Sequence, residues 1–249
     1  MNPYLKNLNK LEFVVTYACT GRCKHCSEGD HSNCRESLDE AVAAEAVRAT
    51  ASACRLQTVM AFGGEPLLYP GTVYAVMHAA REAGVPRRQL ITNGCFSREP
   101  EVLRATAHRL WDCGVNDLLI SVDAFHQETL PLDVVRSFAA EAVQYGIPAR
   151  LQPAWLVSAT DDNPYNQRTR DILRTMADLG IPTGEGNVIF PEGNALKYLA
   201  EYFTDSRPPN PYEEDPRDVR CLSVAPNGDV LGGNIYRQSI LEIMEQYAP

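Results

Sequence analysis

The sequence contains no long uninterrupted apolar run, because glycine, proline or charge interrupts each one before the roughly 18 residues that a membrane helix needs. It also lacks any cluster of basic residues longer than Arg87-Arg88, and its formal net charge is -9. A chain of this charge has no basic surface for a sequence-independent grip on nucleic-acid phosphates. We therefore expect neither a membrane span nor a long nucleic acid as partner.

A secretory signal is also missing, since the N-terminal stretch MNPYLKNLNKLEF has no apolar core and no small-residue cleavage site. This absence predicts a cytoplasmic protein, in which the eight cysteines are reduced thiols or metal ligands rather than disulfides. Apolar residues make up 45% of the 249 residues and charged residues 22%. That balance is typical of a globular chain with one large core.

Four amphipathic segments end in the same way, with a glycine followed by an apolar β-branched residue. The four pairs are Gly84-Val85, Gly114-Val115, Gly146-Ile147 and Gly180-Ile181. Glycine fits the left-handed position just past a helix, so each pair predicts a helix end. Between the helices, six runs read as strands: 11–16, 58–62, 89–92, 118–122, 150–157 and 187–190. This alternation predicts an α/β fold with a parallel sheet, either a partial (β/α)6 TIM-like barrel or a flat doubly wound sheet.

The distinctive residues of the chain directly follow the predicted strands. Cys19 follows the first strand, Gly63-Gly64-Glu65-Pro66 the second, Asn93-Gly94 the third and Asp123 the fourth. Because the carboxyl ends of parallel strands meet at one edge of the sheet, we expect these residues to share one mouth.

Three cysteines stand close together in the motif CTGRCKHC, which covers residues 19 to 26. A closed zinc site needs four ligands, whereas three thiolates on a 4Fe-4S cluster leave one iron free to bind a further group. The alternative is a zinc ion or an ordinary four-thiolate cluster that takes Cys34 or His25 as its fourth ligand.

These motifs in this order resemble the radical S-adenosylmethionine (radical SAM) superfamily. The matching motifs are Cys19-x3-Cys23-x2-Cys26, Gly63-Gly64-Glu65-Pro66, Thr92-Asn93-Gly94 and Ser121-Val122-Asp123. The resemblance implies a partial barrel in which Cys19, Cys23 and Cys26 hold a 4Fe-4S cluster whose open iron binds S-adenosylmethionine. It further implies reductive cleavage of S-adenosylmethionine to a 5'-deoxyadenosyl radical, which abstracts a substrate hydrogen.

The resemblance also assigns candidate cofactor contacts. They are His25, Gly63, Gly64, Glu65, Pro66, Thr92, Asn93, Ser121 and Asp123. The two glycines allow close backbone approach to a ligand, and Glu65 can accept hydrogen bonds from an ammonium group. Ser121 and Asp123 lie two residues apart and can hold ribose hydroxyls. His25 can pack against adenine. Asp123 and His126 are the catalytic candidates, with His126 positioning substrate or moving a proton.

The C-terminal part resembles a shortened SPASM/twitch extension. We expect residues 1–204 to form the barrel and 205–249 the extension, with 205–218 as a linker or lid. Asn227-Gly228 predicts a hairpin turn, and the last residues predict a helix. No cysteine follows Cys221, so we expect one cluster only, the alternative being an auxiliary cluster that takes further ligands from Cys34 or Cys95. The loop 190–195 resembles a sixth-strand loop that contacts adenine.

The same branch often modifies peptides, which makes a peptide the first expected substrate. The first strand begins near Leu11, which leaves no room for a leader-binding domain, so we expect either a separate leader-binding protein as partner or a substrate without a leader. An electron donor such as flavodoxin or ferredoxin is also implied. The alternatives are a small-molecule substrate in cofactor or natural-product biosynthesis, and a non-catalytic iron-sulfur carrier or zinc-binding module.

Overall fold

The computed structural model describes residues 2–30, 33–203 and 210–249. Its strands are β1 (Lys10–Val14), β2 (Thr58–Phe62), β3 (Arg87–Thr92), β4 (Asp117–Ser121), β5 (Ala149–Gln152), β6 (Ala154–Trp155), β7 (Asn187–Val188), β8 (Cys221–Val224), β9 (Asp229–Val230) and β10 (Gly233–Asn234). Its helices are α1 (Glu40–Ala53), α2 (Pro70–Glu82), α3 (Pro100–Asp112), α4 (Ala124–Gln127), α5 (Leu132–Gln144), α6 (Pro164–Thr175), α7 (Gly193–Tyr198) and α8 (Ile240–Gln246). Among the described helices, none combines the length and apolarity that a bilayer crossing requires.

The main sheet has six parallel strands in the order β5-β4-β3-β2-β1-β8. The first five strands therefore lie side by side in chain order. Right-handed crossovers between sequential strands place the connecting helices on one face, whereas a doubly wound sheet reverses its order and carries helices on both faces. The predicted α/β fold is confirmed, and it is a partial TIM-like barrel.

The predicted fifth strand is divided in two by Pro153, which has no N–H to donate to a ladder. β5 pairs with β4, and beyond the proline β6 pairs in parallel with β7. An isolated parallel bridge between Leu151 and Thr183 connects the same two chain segments. The sixth predicted strand, residues 187–190, is observed as the shorter β7, which pairs with β6 rather than with a strand of the main sheet.

The predicted helix ends are confirmed. The four glycines Gly84, Gly114, Gly146 and Gly180 all have positive φ, between 66° and 91°. After three of these glycines, the N–H of the next residue donates a hydrogen bond to a carbonyl in the last turn of the helix. Val85 N–H donates to the Ala80 carbonyl at 2.9 Å, and Ile147 N–H donates to the Ala142 carbonyl at 3.0 Å. This pattern satisfies carbonyls that would otherwise lack a partner and fixes the exit of each helix.

The main core lies between the sheet and its helices. In α5, Val135, Phe138 and Ala142 are fully buried, as their spacing predicts. Val143, in the last turn of the same helix, is 43% exposed. Burying one large apolar side chain contributes about 1.5–3 kcal/mol, so this core is the main source of stability.

The C-terminal segment joins the main sheet. β8 pairs in parallel with β1, with Cys221 opposite Lys10, and α8 packs against α1. The hairpin prediction was wrong in its position: the antiparallel pair is β9 and β10, joined by residues 231–232, while Asn227-Gly228 turns the chain from β8 towards β9. The boundary at residues 204 and 205 stays a prediction, and positions 205–209 of the expected linker lie outside the described residues.

Candidate active site

The three cysteines of CTGRCKHC lie in the segment after β1, at the carboxyl edge of the sheet. Cys23 is buried, Cys19 and Cys26 are partly exposed, and none of them forms a disulfide. Burial raises the pKa of Cys19 to about 11, and it also raises the pKa of Cys23 and of Cys26. Buried thiols of this kind keep their protons until a metal replaces them.

The glycine pair after β2 lies directly against this cysteine segment. Gly64 N–H donates to the Thr16 carbonyl at 2.8 Å, and Glu65 N–H donates to the Ala18 carbonyl at 2.8 Å. A Cβ added to Gly64 would lie 2.3 Å from the Ala18 oxygen, and one added to Gly63 would lie 2.4 Å from the Thr16 oxygen. The glycines therefore allow two backbone segments to touch, which is a structural role beside the predicted cofactor contact.

Glu65 is fully buried at the centre of this edge. Its Oε1 accepts hydrogen bonds from the Thr92 hydroxyl at 2.8 Å and from Leu67 N–H at 2.9 Å, and its Oε2 accepts from Asn93 N–H at 2.8 Å. Burial raises the pKa of Glu65 to about 7, while these hydrogen bonds oppose the rise. The carboxylate thus joins the loop after β2 to the end of β3.

The Asn93 side chain connects β3 to the cysteine segment. Its Nδ2 donates to the Thr20 hydroxyl at 3.1 Å and lies 3.6 Å from Cys19 Sγ. Its Oδ1 accepts from Cys95 N–H at 2.8 Å, which fixes the orientation of the amide. The Thr-Asn-Gly motif therefore supplies a donor to the first cysteine.

Two further predicted residues lie at the same edge. Pro66 is buried and begins the short 3-10 helix Pro66–Leu68. Ser121 is the last residue of β4 and is partly exposed. Within the described parts of the chain, its hydroxyl has no hydrogen-bond partner, so it is available to a ligand.

Asp123 is fully buried and caps the N-terminus of α4. Its Oδ1 accepts from the N–H groups of Phe125 and His126 at 2.9 Å, and its Oδ2 accepts from Ala154 N–H at 3.0 Å. The same Oδ2 lies 2.7 Å from His126 Nδ1. Burial raises the pKa of Asp123, but His126 and the hydrogen bonds more than offset this effect, and the net pKa is lowered to about 2. The carboxylate is charged and holds the His126 ring in place.

His25 packs against the rings of α4. Its ring centre lies 5.0 Å from Phe125 and 4.9 Å from His126. Burial lowers the pKa of His25 to about 4. Burial also lowers the pKa of His126, but the Asp123 carboxylate more than offsets it, and the net pKa is raised. Two neighbouring histidines, one with a lowered pKa and one with a raised pKa, therefore lie beside Cys23.

The first residues of α7, which follow β7 and its loop, hold the cysteine segment from a third side. Asn194 N–H donates to the Cys26 carbonyl at 2.8 Å, and its Nδ2 donates to the Cys23 carbonyl at 3.1 Å. A Cβ on Gly193 would lie 2.2 Å from the Ser27 oxygen. The sequence pattern placed this loop near adenine and missed Asn194 as an anchor. The available signal was a Gly-Asn pair just after a predicted strand.

Comparison with known protein families agrees with this arrangement. The model of the radical SAM superfamily matches residues 13–195, from β1 into α7. The chain belongs to the radical SAM superfamily. Members of this superfamily are enzymes that use a 4Fe-4S cluster and S-adenosylmethionine, which are therefore the cofactors of this protein. The membership excludes the non-catalytic carrier and the zinc-binding module as its principal function.

Solved structures share the fold of this radical SAM protein. SuiB of Streptococcus suis, bound to precursor peptide SuiA, matches with a TM-score of 0.60 and 13% identity over 97% of this chain. The chain spans 65% of the length of SuiB. The structure of anSMEcpe with bound AdoMet and Cp18Cys peptide matches with a TM-score of 0.59 and 12% sequence identity. The match covers 96% of this chain and 80% of the anSMEcpe chain. The structure of BtrN in complex with AdoMet and 2-DOIA matches with a TM-score of 0.57 and 16% sequence identity. The match covers 97% of this chain and 83% of the BtrN chain. No curated protein sequence matches the chain.

The donor set of this radical SAM protein fits an iron-sulfur cluster. Thiolates are the usual ligands of such clusters, and hydrogen bonds to the sulfurs stabilise the bound form. Two N–H groups already point at Cys19 Sγ, from Gly21 at 3.3 Å and from Asn93 Nδ2 at 3.6 Å. Three cysteines on one segment leave a fourth iron for another ligand. The residues present therefore suit the cofactor that the family uses.

Proposed function

We propose that Cys19, Cys23 and Cys26 hold the 4Fe-4S cluster and that the protein abstracts a hydrogen atom from a peptide. The observation that carries this proposal is the anchoring of the cysteine segment. It is hydrogen-bonded to the loop after β2, to Asn93 at the end of β3 and to Asn194 after β7. Ligands held in this way bind a cluster with little reorganisation.

When bound, the cluster supplies the electron that cleaves S-adenosylmethionine to methionine and a 5'-deoxyadenosyl radical. The chain's own groups orient what binds there. Asn93 and the Gly21 N–H donate to Cys19 Sγ. The loop Gly63-Gly64-Glu65-Pro66 and Thr92 form the adjoining wall. The carbonyls of the partly exposed Gly63 and Gly64 can accept from an ammonium group, while the Glu65 carboxylate keeps that wall in place.

The remaining cofactor contacts and the catalytic roles fall to the residues around β4. We assign the ribose contact first to Ser121, whose hydroxyl has no partner among the described residues. Asp123 acts mainly through His126, because chain donors already occupy its carboxylate. His126 would then position substrate or move a proton, and His25 would pack against adenine.

The peptide assignment rests on the sequence from Cys221 to Val230 and on the final helix α8, which resemble the extension of peptide-modifying radical SAM enzymes. The fold neighbours include proteins solved with peptides and one solved with 2-DOIA, so a small-molecule substrate is the second candidate. The proposal further includes a low-potential electron donor such as flavodoxin or ferredoxin, a separate leader-binding protein, and a cytosolic location where the thiols stay reduced.

The first experiment tests cluster and cofactor chemistry. The protein is reconstituted anaerobically with iron and sulfide, and 5'-deoxyadenosine is measured after addition of reductant and S-adenosylmethionine. We expect a cluster and 5'-deoxyadenosine formation, both lost when Cys19, Cys23 and Cys26 are replaced by alanine. The matched control replaces Cys54 and Cys113, which lie at the ends of α1 and α3. A triple variant that keeps its cluster would disprove the ligand assignment.

The second experiment tests the substrate class. Short peptides encoded beside the gene are incubated with the reconstituted enzyme, and their masses and 5'-deoxyadenosine yield are recorded. A mass change in one peptide, accompanied by increased 5'-deoxyadenosine, is the expected result. If no such peptide changes while a small molecule from the same gene cluster is consumed, the peptide assignment is wrong and the second candidate is correct.

A further inference from the structure

Three metal-binding side chains from two parts of the chain converge beside α4. Cys23 comes from the cysteine segment, as does His25, and His126 comes from α4. One ligand atom from each lies within 4.8 Å of the other two. Around a single zinc ion with bonds of about 2.0–2.3 Å, tetrahedral ligand atoms lie roughly 3.5 Å apart. Movements of about 1 Å would therefore bring these three atoms onto one ion.

The His126 ring is held in the orientation that a metal ligand needs. Its Nδ1 is engaged by Asp123 Oδ2 at 2.7 Å, which leaves Nε2 for a metal. Asp123 is itself held by the N–H groups of Phe125, His126 and Ala154. A carboxylate that orients a histidine in this way is the common outer-shell arrangement of zinc sites.

His25 supplies a second, independent observation. Its Nδ1 is buried and has no hydrogen-bond partner in the described part of the chain. A buried polar atom without a partner is costly, and an ion that is missing from the coordinates is one explanation for it. A metal on this side of the ring would supply the partner.

We propose that the chain without its cluster binds one zinc ion through Cys23, His25 and His126, with a fourth position open to water. When the Zn–S bond forms, the S–H bond of Cys23 breaks and its proton is released to solvent. Because Cys23 also belongs to the proposed cluster ligands, one chain holds either the zinc ion or the cluster. Cys19 and Cys26 are not needed for zinc. Zinc at this site therefore blocks cluster assembly, a regulatory property that goes beyond the proposed function.

The test uses full-length protein without a cluster, under anaerobic conditions. Zinc is titrated against a chromophoric chelator, and Co²⁺ replaces it to show thiolate and imidazole ligation in the absorption spectrum. We expect one zinc per chain, with the affinity reduced at least about 100-fold in Cys23→Ser and in His126→Gln, and about 10–100-fold in Asp123→Asn. His78→Gln on α2, where the histidine is exposed, is the matched control and keeps full affinity.

Cys19→Ser separates this proposal from the cluster assignment. It should lose the cluster and keep zinc, whereas His126→Gln should lose zinc and still take up iron and sulfide. Pre-loading with one equivalent of zinc should reduce cluster uptake in wild type but not in His126→Gln. Zinc binding that falls in Cys19→Ser as much as in Cys23→Ser, or that survives in His126→Gln, would overturn the proposal. Circular dichroism of each variant verifies the fold.

Discussion

Replacing Gly64 with alanine tests whether close backbone contact holds the cysteine segment in place. The added Cβ would lie 2.3 Å from the Ala18 oxygen and 2.6 Å from the Tyr17 oxygen. Both neighbours are backbone atoms next to Cys19, so no flexible side chain can move aside. Gly64 has no positive φ, and the expected cost is therefore steric rather than conformational.

The magnitude follows from two contributions. Forcing an extra methyl into a packed site costs about 1–3 kcal/mol, and moving the Ala18 carbonyl away also weakens its 2.8 Å hydrogen bond from Glu65 N–H, worth about 1 kcal/mol. We expect Gly64→Ala to lower the free energy of unfolding by about 2–4 kcal/mol. The displaced segment should also hold less iron, because its three thiols no longer share one geometry.

Urea unfolding of the metal-free protein measures the first effect, and iron and sulfide per chain after reconstitution measure the second. Gly146→Ala is the control: a Cβ there meets nothing within 4 Å, but φ is 75°. It should cost about 1–2 kcal/mol from left-handed strain alone and leave the iron content unchanged. If Gly64→Ala unfolds at the wild-type urea concentration and loads fully, the steric reasoning is refuted.

Three further substitutions address other contacts. Asn194→Ala removes the Nδ2 donations to the Cys23 and Gly29 carbonyls, so it should cost about 1–3 kcal/mol and speed cluster loss to a chelator; an unchanged rate would contradict the anchoring role. In Asp117, burial raises the pKa but two arginines and Gln89 lower it overall, so its stabilisation exists above the unfolded pKa of about 3.9 and disappears as pH falls through the lower folded pKa. In denaturant titrations, Asp117→Asn should cost about 2 kcal/mol at pH 7 and progressively less as the pH falls below the unfolded pKa of about 3.9. A pH-independent difference would count against this. Val157 has a φ of 68°, which is strained for a β-branched residue, so Val157→Gly should stabilise the fold by up to about 1 kcal/mol and raise the melting temperature. A lower melting temperature would show that the exposed Val157 side chain is itself stabilising.

The helix ends and the cysteine motif were predictable because they depend on residues close in sequence. A glycine at the left-handed position and an apolar residue after it form a helix stop with nearby partners alone. Cys19, Cys23 and Cys26 lie on one short segment, so the motif could be recognised from the local sequence, and its resemblance to the radical SAM motif implied the ligand set. Asp123 was expected to serve the site at the end of β4, and its capping bonds are equally local.

Long-range pairing decided the remaining features. Nothing near Cys221 in the sequence indicates that β8 lies beside β1, because the pairing energy comes from a strand more than 200 residues away. The hydrogen bonds that Thr92 and Asn93 donate to the Glu65 carboxylate also require β2 and β3 to be in register. Cys23 and His126 are separated by about 100 residues and meet only when the cysteine segment packs on α4. The sequence by itself determined which chemical groups stand at the edge of the sheet, since strand ends and motifs are local. Only the tertiary structure decided which of those groups are buried, paired and adjacent, because desolvation and contact depend on segments that are distant in the chain.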